Sequence, residues 1–376
     1  MSDTTWARDI AAALAPVVDG RHQEIDDLRR LPPDIVDAMH EHQVFRTWLP
    51  DEFGGLEARL ADGLELIEEL SYLDSAVGWV AMINLTTSYL AGILDKEQAR
   101  LVFADPRSVA AGTTAPTGSA VPADGGINVS GRWAWGSGIH NSTWMACAAV
   151  LQSAQGATNV MAMIPIEEID ILDTWQVSGM RGTGSTDYET HSVFVPDGRY
   201  LTLDNLTPWS DLPLHRFAVF GLLALAVSSV AQGLGRRALD EFRGLAAERT
   251  LLGTSATIDT SPVAQSGYAQ AEAAVLSARA FRSATIDQAW QQALTGRPTR
   301  EMRRQLRLAA TNSSFAAAHS IDGLWELAGG GVVYDTSLMQ RLQRDIHVLT
   351  QHVRVANRTW EMVGALALNQ PFEGQL

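Results

Sequence analysis

Between Phe217 and Gly235 the chain runs FAVFGLLALAVSSVAQGLG without one charged side chain. An uncharged run roughly 20 residues long is either a membrane span or a helix sealed inside a core, and either outcome organises everything around it. Ser228, Ser229, Gln232 and the glycines at 221, 233 and 235 interrupt the run, and no second segment resembles it. The expectation is therefore a buried bundle helix and no membrane. Small residues there let neighbouring helices approach closely.

The rest of the C-terminal half supplies such neighbours. Helical patterning predicts four long helices at 214–247, 262–293, 300–327 and 335–369, separated by Gly253, Pro262, Gly296-Arg297-Pro298 and Gly329-Gly330-Gly331. Four long helices with short connectors imply an antiparallel bundle. The N-terminal third is helical too: Pro32 and Pro33 precede DIVDAMHEHQVF, and Asp74-Ser75 gives a helix start ahead of an apolar stretch. Between these halves, from about Ser108 to Tyr200, short β-branched runs alternate with turn signals such as Asp124-Gly125. The predicted class is α+β, with a helical domain at 1–107, a β-barrel-like domain at 108–211 and a four-helix bundle at 212–376.

Composition narrows the function. Asp and Glu number 43 against 28 Lys and Arg, a net charge of -15, so the chain repels a phosphate backbone and nucleic acid is not an expected partner. Cys147 is the single cysteine, which excludes an intrachain disulfide and fits a reducing, cytoplasmic compartment. The N-terminus lacks a basic segment ahead of its apolar stretch, unlike a signal peptide. His40 and His42 would face different sides of a helix, a poor metal pair, and no metal site is expected. No P-loop or dinucleotide glycine motif is present.

Three local signatures then stand in a telling order: Leu49-Pro50-Asp51-Glu52-Phe53-Gly54-Gly55, Gly131-Arg132-Trp133-Ala134-Trp135-Gly136-Ser137-Gly138, and Gly179-Met180-Arg181-Gly182-Thr183-Gly184-Ser185. With the order of helical, β and helical domains, they make the chain resemble the acyl-CoA dehydrogenase superfamily over essentially its whole length. The resemblance implies that fold, a homotetramer and a flavin, FAD or FMN.

It also assigns expectations to residues. A planar flavin ring needs a flat apolar wall and a few fixed polar groups, which Trp135, Gly136 and Ser137 can supply, with Ser137 near the reactive edge of the ring. On the residues alone, Trp133 and Trp135 could equally fill the β core while Ser137 caps a turn. Thr113 and Thr114 occupy the place of a loop facing the flavin's pyrimidine edge, and they are also ordinary strand residues. Gly329, Gly330 and Gly331 resemble a loop that approaches the cofactor phosphates of a neighbouring subunit, although a glycine run also simply ends a helix. Arg249 matches a phosphate-pairing arginine, or is a solvated cation at a helix end. Trp79, Asn84 and His140 are candidate substrate-pocket residues, His140 having an alternative as a surface turn residue.

The segment Arg344-Asp345-Ile346-His347-Val348-Leu349-Thr350-Gln351-His352 discriminates best. In dehydrogenases of the superfamily a glutamate after this motif removes the proton α to a thioester carbonyl; here Val353 stands in its place, and Leu225 occupies the alternative position. His352 instead matches a histidine of the two-component (group D) flavin-dependent monooxygenases. Read as one helix, Asp345 and His352 share a face two turns apart, and His347 is placed to bond Gln351. A histidine titrating near neutrality suits a proton held or moved at oxygen beside a flavin, while the plainer alternative is packing between helices. Here the resemblance implies reduced flavin (FADH2 or FMNH2) from a separate NAD(P)H flavin reductase, O2 and a small organic substrate, with His352 and Ser137 catalytic. The alternative is an acyl-CoA dehydrogenase using FAD.

Overall fold

The computed structural model of the chain describes residues 5–154, 156–203, 206–372 and 376. Six helices come first: α1 (Thr5–Val18), α2 (His22–Leu28), α3 (Pro33–Glu41), α4 (Leu60–Leu73), α5 (Ser75–Ser88) and α6 (Lys96–Phe103). Asp74 caps α5 by accepting from the Ala76 and Val77 amides, so the Asp74-Ser75 start signal acts through an N-cap. Helix α5 is buried on nearly every face, which places Trp79 and Asn84 inside the molecule.

The middle of the chain forms one seven-stranded mixed sheet. Its strands are β1 (Ala110–Ala123), β2 (Gly126–Gly136), β3 (Trp144–Ser153), β4 (Gly156–Pro165), β5 (Asp170–Ile171), β6 (Thr186–Pro196) and β7 (Tyr200–Thr202). The order β5-β6-β2-β1-β3-β4-β7 leaves β5 and β7 as edges among the described residues. Strands β1 and β2 make a hairpin through Asp124-Gly125, with Gly125 at φ +71°. Their ladder runs only from Ala123↔Gly126 to Ser119↔Ser130. Carried further, that register would set Thr114 opposite Trp135, but no pairing continues there, and the β1–β3 ladder also shifts between Thr113 and Gly118. The strands part at the place where the two expected flavin segments meet.

The C-terminal helices are α7 (Pro213–Arg216), α8 (Val219–Glu248), α9 (Pro262–Thr295), α10 (Arg300–Leu327), α11 (Leu338–Leu349) and α12 (Arg358–Ala367). The uncharged run forms most of α8, which packs against α4, α5, α9, α10 and α11. It is long and apolar enough to cross a membrane, yet 78% of its apolar window is buried inside the protein. Its small residues permit this: a Cβ on Gly233 would lie 2.5 Å from the Glu68 carbonyl oxygen of α4.

The expected single helix at 335–369 is corrected to two, α11 and α12, with a non-helical stretch from Thr350 to Asn357. No glycine or proline breaks it. Instead, His352 Nδ1 accepts the Arg354 amide hydrogen at 3.3 Å, a local side-chain bond that takes this donor out of the helical ladder. Asp345 and His352 therefore do not share a helix face. His347 is also relocated: its Nε2 bonds Asp322 at 2.8 Å, not Gln351.

Candidate functional site

Four elements converge where β1 and β2 part. Trp79 comes from α5, Ser137 from the turn after β2, Ser185 from the loop before β6, and His352 from the turn after α11. The His352 ring stands edge-on to Trp79, with centroids 5.5 Å apart. Trp79 Nε1 donates to Ser137 Oγ at 3.0 Å. From Ser137 a hydroxyl chain continues to Ser185 (2.5 Å) and Thr183 (2.6 Å), and Thr183 Oγ1 donates to the Met180 carbonyl at 2.8 Å.

Each hydroxyl owns one proton, so the end of this chain fixes its direction. Thr183 spends its proton on Met180, hence Ser185 donates to Thr183 and Ser137 donates to Ser185. Ser137 is thereby left with an acceptor lone pair for anything bound against it. Met180 is held at φ +55°, and its amide donates to Asp345 Oδ1 at 2.5 Å. Asp345 Oδ2 accepts from Ser75 Oγ at 2.5 Å, so this buried carboxylate joins α11, the start of α5 and the Gly179–Ser185 loop. The loop needs Gly179, because a Cβ there would sit 2.5 Å from the Arg344 carbonyl oxygen.

His352 differs from the titrating group expected. Burial, with Arg354 and then Arg307 adding repulsion, pushes its pKa down to about 4, and the imidazole is neutral at pH 7. Because Nδ1 accepts from the Arg354 amide, the neutral ring carries its hydrogen on Nε2 and presents a donor. Arg354 Nη2 reaches Thr114 Oγ1 at 3.2 Å, joining the turn after α11 to β1. Val353, standing where a dehydrogenase would carry its base, is 68% exposed.

The two tryptophans of the β2 motif separate. Trp133 is fully buried and stacked on Tyr188 at 5.4 Å, while Trp135, at φ +64°, turns out of the sheet and is 67% exposed. Gly136 packs against Tyr188. Just after the C-terminus of α8, Arg249 meets the glycine loop: a Cβ on Gly331 would lie 2.5 Å from Arg249 Nη1, a buried atom with no hydrogen-bond partner among the described residues. Gly329, at φ +72°, and Gly330 complete that cradle. An orphaned guanidinium nitrogen over a glycine cradle fits a phosphate, and an exposed indole beside an acceptor serine fits a flavin ring.

Two candidates sit apart. Asn84 is buried with its Nδ2 on the Ala110 carbonyl (3.0 Å) and its Oδ1 accepting from Asn141 (3.4 Å), a clip between α5, β1 and the Ser137 turn. His140 packs against Gly184, with Arg30, Asp173 and Arg29 as its charged neighbours. Burial and the arginines lower its pKa. Sequence reasoning missed Ser185, Thr183, Arg307 and Arg354. A serine within Gly-Thr-Gly-Ser reads as turn composition, and Arg307 is indistinguishable in sequence from its neighbours Arg303 and Arg304.

The chain matches the family profiles described as acyl-CoA dehydrogenase, N-terminal domain, over residues 5–100, and acyl-CoA dehydrogenase, C-terminal domain, over residues 225–357. It is 32% identical to an indole-3-acetate monooxygenase of Pseudomonas putida, covering 94% of this chain and 91% of that one. It is 29% identical to the oxygenase component of an FADH2-dependent resorcinol hydroxylase of Rhizobium sp., covering 94% and 91%. The crystal structure of 3-HSA hydroxylase from Rhodococcus sp. RHA1 superposes with a TM-score of 0.91 at 25% identity, covering 98% of both chains. The chain thus belongs to the acyl-CoA dehydrogenase family, the fold that its helices, sheet and bundle define. Within that family it is a flavin-dependent monooxygenase, an oxidoreductase that works with reduced flavin.

Proposed function

We propose that this chain takes reduced flavin from a separate NAD(P)H flavin reductase and uses O2 to oxygenate a small aromatic substrate held against His352, Trp79 and Ser137, in the cytoplasm and as a homotetramer. The observation that carries the site assignment is the contact series from His352 to Trp79 to Ser137. The aromatic class is supported by the indole and resorcinol substrates in the names of its relatives. Bound reduced flavin supplies the two electrons that dioxygen activation requires.

The chain's own residues do the rest. Reduced flavin carries a hydrogen on N5 that the oxidised form lacks, and Ser137 offers an acceptor, so the hydroxyl relay favours the reduced cofactor. His352 donates through Nε2 and can hold a proton at an oxygen in the crevice without becoming charged. Arg249 and Gly329–Gly331 would hold the phosphate end. Trp79 and the apolar start of α8 exclude water.

The test is a coupled assay with a flavin reductase, NADH, O2 and a panel of indoles and phenols, with product and hydrogen peroxide both quantified. The expected result is oxygenated product only when reductase, NADH and O2 are all present. Bleaching of bound oxidised flavin by acyl-CoA under anaerobic conditions, with no oxygenation, would overturn the reading in favour of a dehydrogenase.

A further inference from the structure

The hydroxyl chain behind Ser137 has two self-consistent directions. In the first, Thr183 donates to the Met180 carbonyl, Ser185 to Thr183 and Ser137 to Ser185, so Ser137 turns a lone pair outward. In the second every proton turns round: Thr183 donates to Ser185, Ser185 donates to Ser137, and Ser137 donates outward. Trp79 Nε1 donates to Ser137 Oγ in both. Ser137, Thr183 and Ser185 are 4%, 2% and 4% exposed, which shields the chain from the competing partners that bulk water would offer. The frame need not move between the two states, because the Gly138 amide donates to the Thr183 carbonyl at 3.0 Å and holds the Ser137 turn against the loop.

The two directions differ by one hydrogen bond. Turning the chain round gives up the bond from Thr183 Oγ1 to the Met180 carbonyl, 2.8 Å long in the first direction. That carbonyl does not go unpaired, since Trp175 Nε1 at 3.1 Å and the Thr183 amide at 3.2 Å also donate to it. Reversal therefore costs about one neutral hydrogen bond and no buried orphan, a factor of roughly three to ten in an equilibrium. Flavin N5 changes in the matching way: it carries a hydrogen when the ring is reduced and a bare lone pair when it is oxidised. The first direction of the chain suits the reduced ring, and the second suits the oxidised one.

Resting on the monooxygenase reading for the place of the flavin beside Ser137, we propose that the Ser137–Ser185–Thr183 chain is a reversible hydroxyl switch whose direction follows the protonation of flavin N5, and that Thr183 is the positioning residue that biases it toward the reduced form. Thr183 touches no reacting group; it acts through Ser185 and Ser137. Its anchor is fixed in turn by Asp345, whose Oδ1 accepts from the Met180 amide at 2.5 Å. The bias suits a protein that takes up reduced flavin and must let the oxidised form go. The spent cofactor is held only by a chain turned against its preferred direction, so it leaves more readily.

The test measures dissociation constants for oxidised and dithionite-reduced FAD and FMN by anaerobic ultrafiltration, and reads their ratio. Thr183→Val, close in shape but without the hydroxyl, should move the ratio toward the oxidised form by roughly three- to tenfold, the scale of one neutral hydrogen bond. Ser185→Ala should move it in the same direction, because Ser137 loses the acceptor that keeps its proton turned inward. Thr183→Ser retains the hydroxyl and should retain the wild-type ratio. Equal weakening of both flavin forms by Thr183→Val would mark a purely structural residue and overturn the switch, as would a serine variant with the ratio of the valine one. Where Thr183→Val fails to fold, Ser185→Ala decides: an unchanged ratio overturns the inference. The coupled oxygenation assay keeps the two readings apart. Oxygenation by the wild type with unmoved ratios in the variants would sink the switch alone, whereas ratios that shift as expected with no oxygenated product would sink the monooxygenase assignment alone.

Discussion

With Nδ1 of His352 occupied by the Arg354 amide, the proton of the neutral ring sits on Nε2, and the role proposed for it is to donate. His352→Ala should lower product per NADH consumed by up to roughly a hundredfold, the scale of losing a positioned proton-bearing group, with peroxide release rising in step. His352→Gln, which still offers an N–H, should recover a large part. If glutamine is as poor as alanine, donation is not the role. The pKa of about 4 also sets a sign for pH dependence. The functional neutral form is complete above about pH 5.5 and is lost as pH falls through 4, so the coupling ratio should be flat from pH 5.5 to 8. Because Arg354 contributes to the depression, Arg354→Gln should shift the acid limb upward, toward the ordinary histidine value of 6.5. A wild-type limb centred near 6.5 would contradict the structure. Local motifs singled out His352, Ser137 and Trp135 in the sequence; the structure sets His352 and Ser137 on either side of Trp79 and leaves Trp135 exposed. The protonation state of His352 was not legible, because it depends first on burial by elements distant in sequence and then on the charges of Arg354 and of Arg307 from α10.

At the scale of elements, α4 is pinned to α8 and α9 by charge inside an otherwise apolar core. Glu68, fully buried, accepts from Arg236 (3.1 Å), Arg279 (2.7 Å) and Arg282 (2.5 Å). Burial alone would raise its pKa, but the three arginines outweigh burial and lower it. Glu68→Gln removes the charge while nearly conserving shape, and leaves buried Arg282 without its carboxylate. The expected loss is about 3 kcal/mol or more of unfolding free energy in a denaturant titration. Glu301→Gln, at the exposed Glu301–Arg304 pair, should change stability by less than about 1 kcal/mol. Equal effects would show that the buried cluster adds nothing beyond surface pairing. Elements also show where sequence reading stops. The long helices α9 and α10 formed near the expected limits, with proline or glycine beside their ends, whereas the helix expected at 214–247 is divided into α7 and α8 by extended backbone at Phe217 and Ala218. The break after α11 carries no such residue: Thr350, Val353 and Val355 read as helix interior, yet the Gln351 and His352 amides already bond three residues back, to the Val348 and Leu349 carbonyls, before the His352 ring takes the Arg354 amide. The departure of β1 from its ladder, by contrast, is announced locally, because Thr113–Gly118 contains Pro116, which has no amide hydrogen to pair, and ends on a glycine.

The whole molecule leaves apolar surface that one chain does not cover. Helix α9 buries a single stripe that includes Ala264, Ala271, Val275, Ala278, Ile286, Ala289 and Ala293, yet Val263, Leu276, Phe281 and Leu294 on the same helix are exposed. Val333 and Tyr334 are exposed just beyond the Gly329–Gly331 cradle, as is Leu252 just beyond Arg249. Apolar surface that collects along a bundle helix and beside a phosphate-shaped cradle is the pattern expected where subunits meet. The homotetramer proposed above predicts that sedimentation velocity of the wild-type protein at micromolar concentration gives four times the 40.7 kDa chain mass, with no stable monomer boundary. Leu276→Arg combined with Phe281→Arg places two charges on the exposed side of α9 and should shift the population to smaller species. Circular dichroism should stay unchanged, because neither side chain belongs to the buried stripe. Flavin retention on gel filtration should fall together with the assembly if a neighbouring chain helps close the Arg249 cradle, and Arg249→Ala should lower retention without changing the sedimenting mass. A wild-type monomer that keeps its flavin would refute the assembly and leave Arg249 with Gly329–Gly331 as a site complete within one chain.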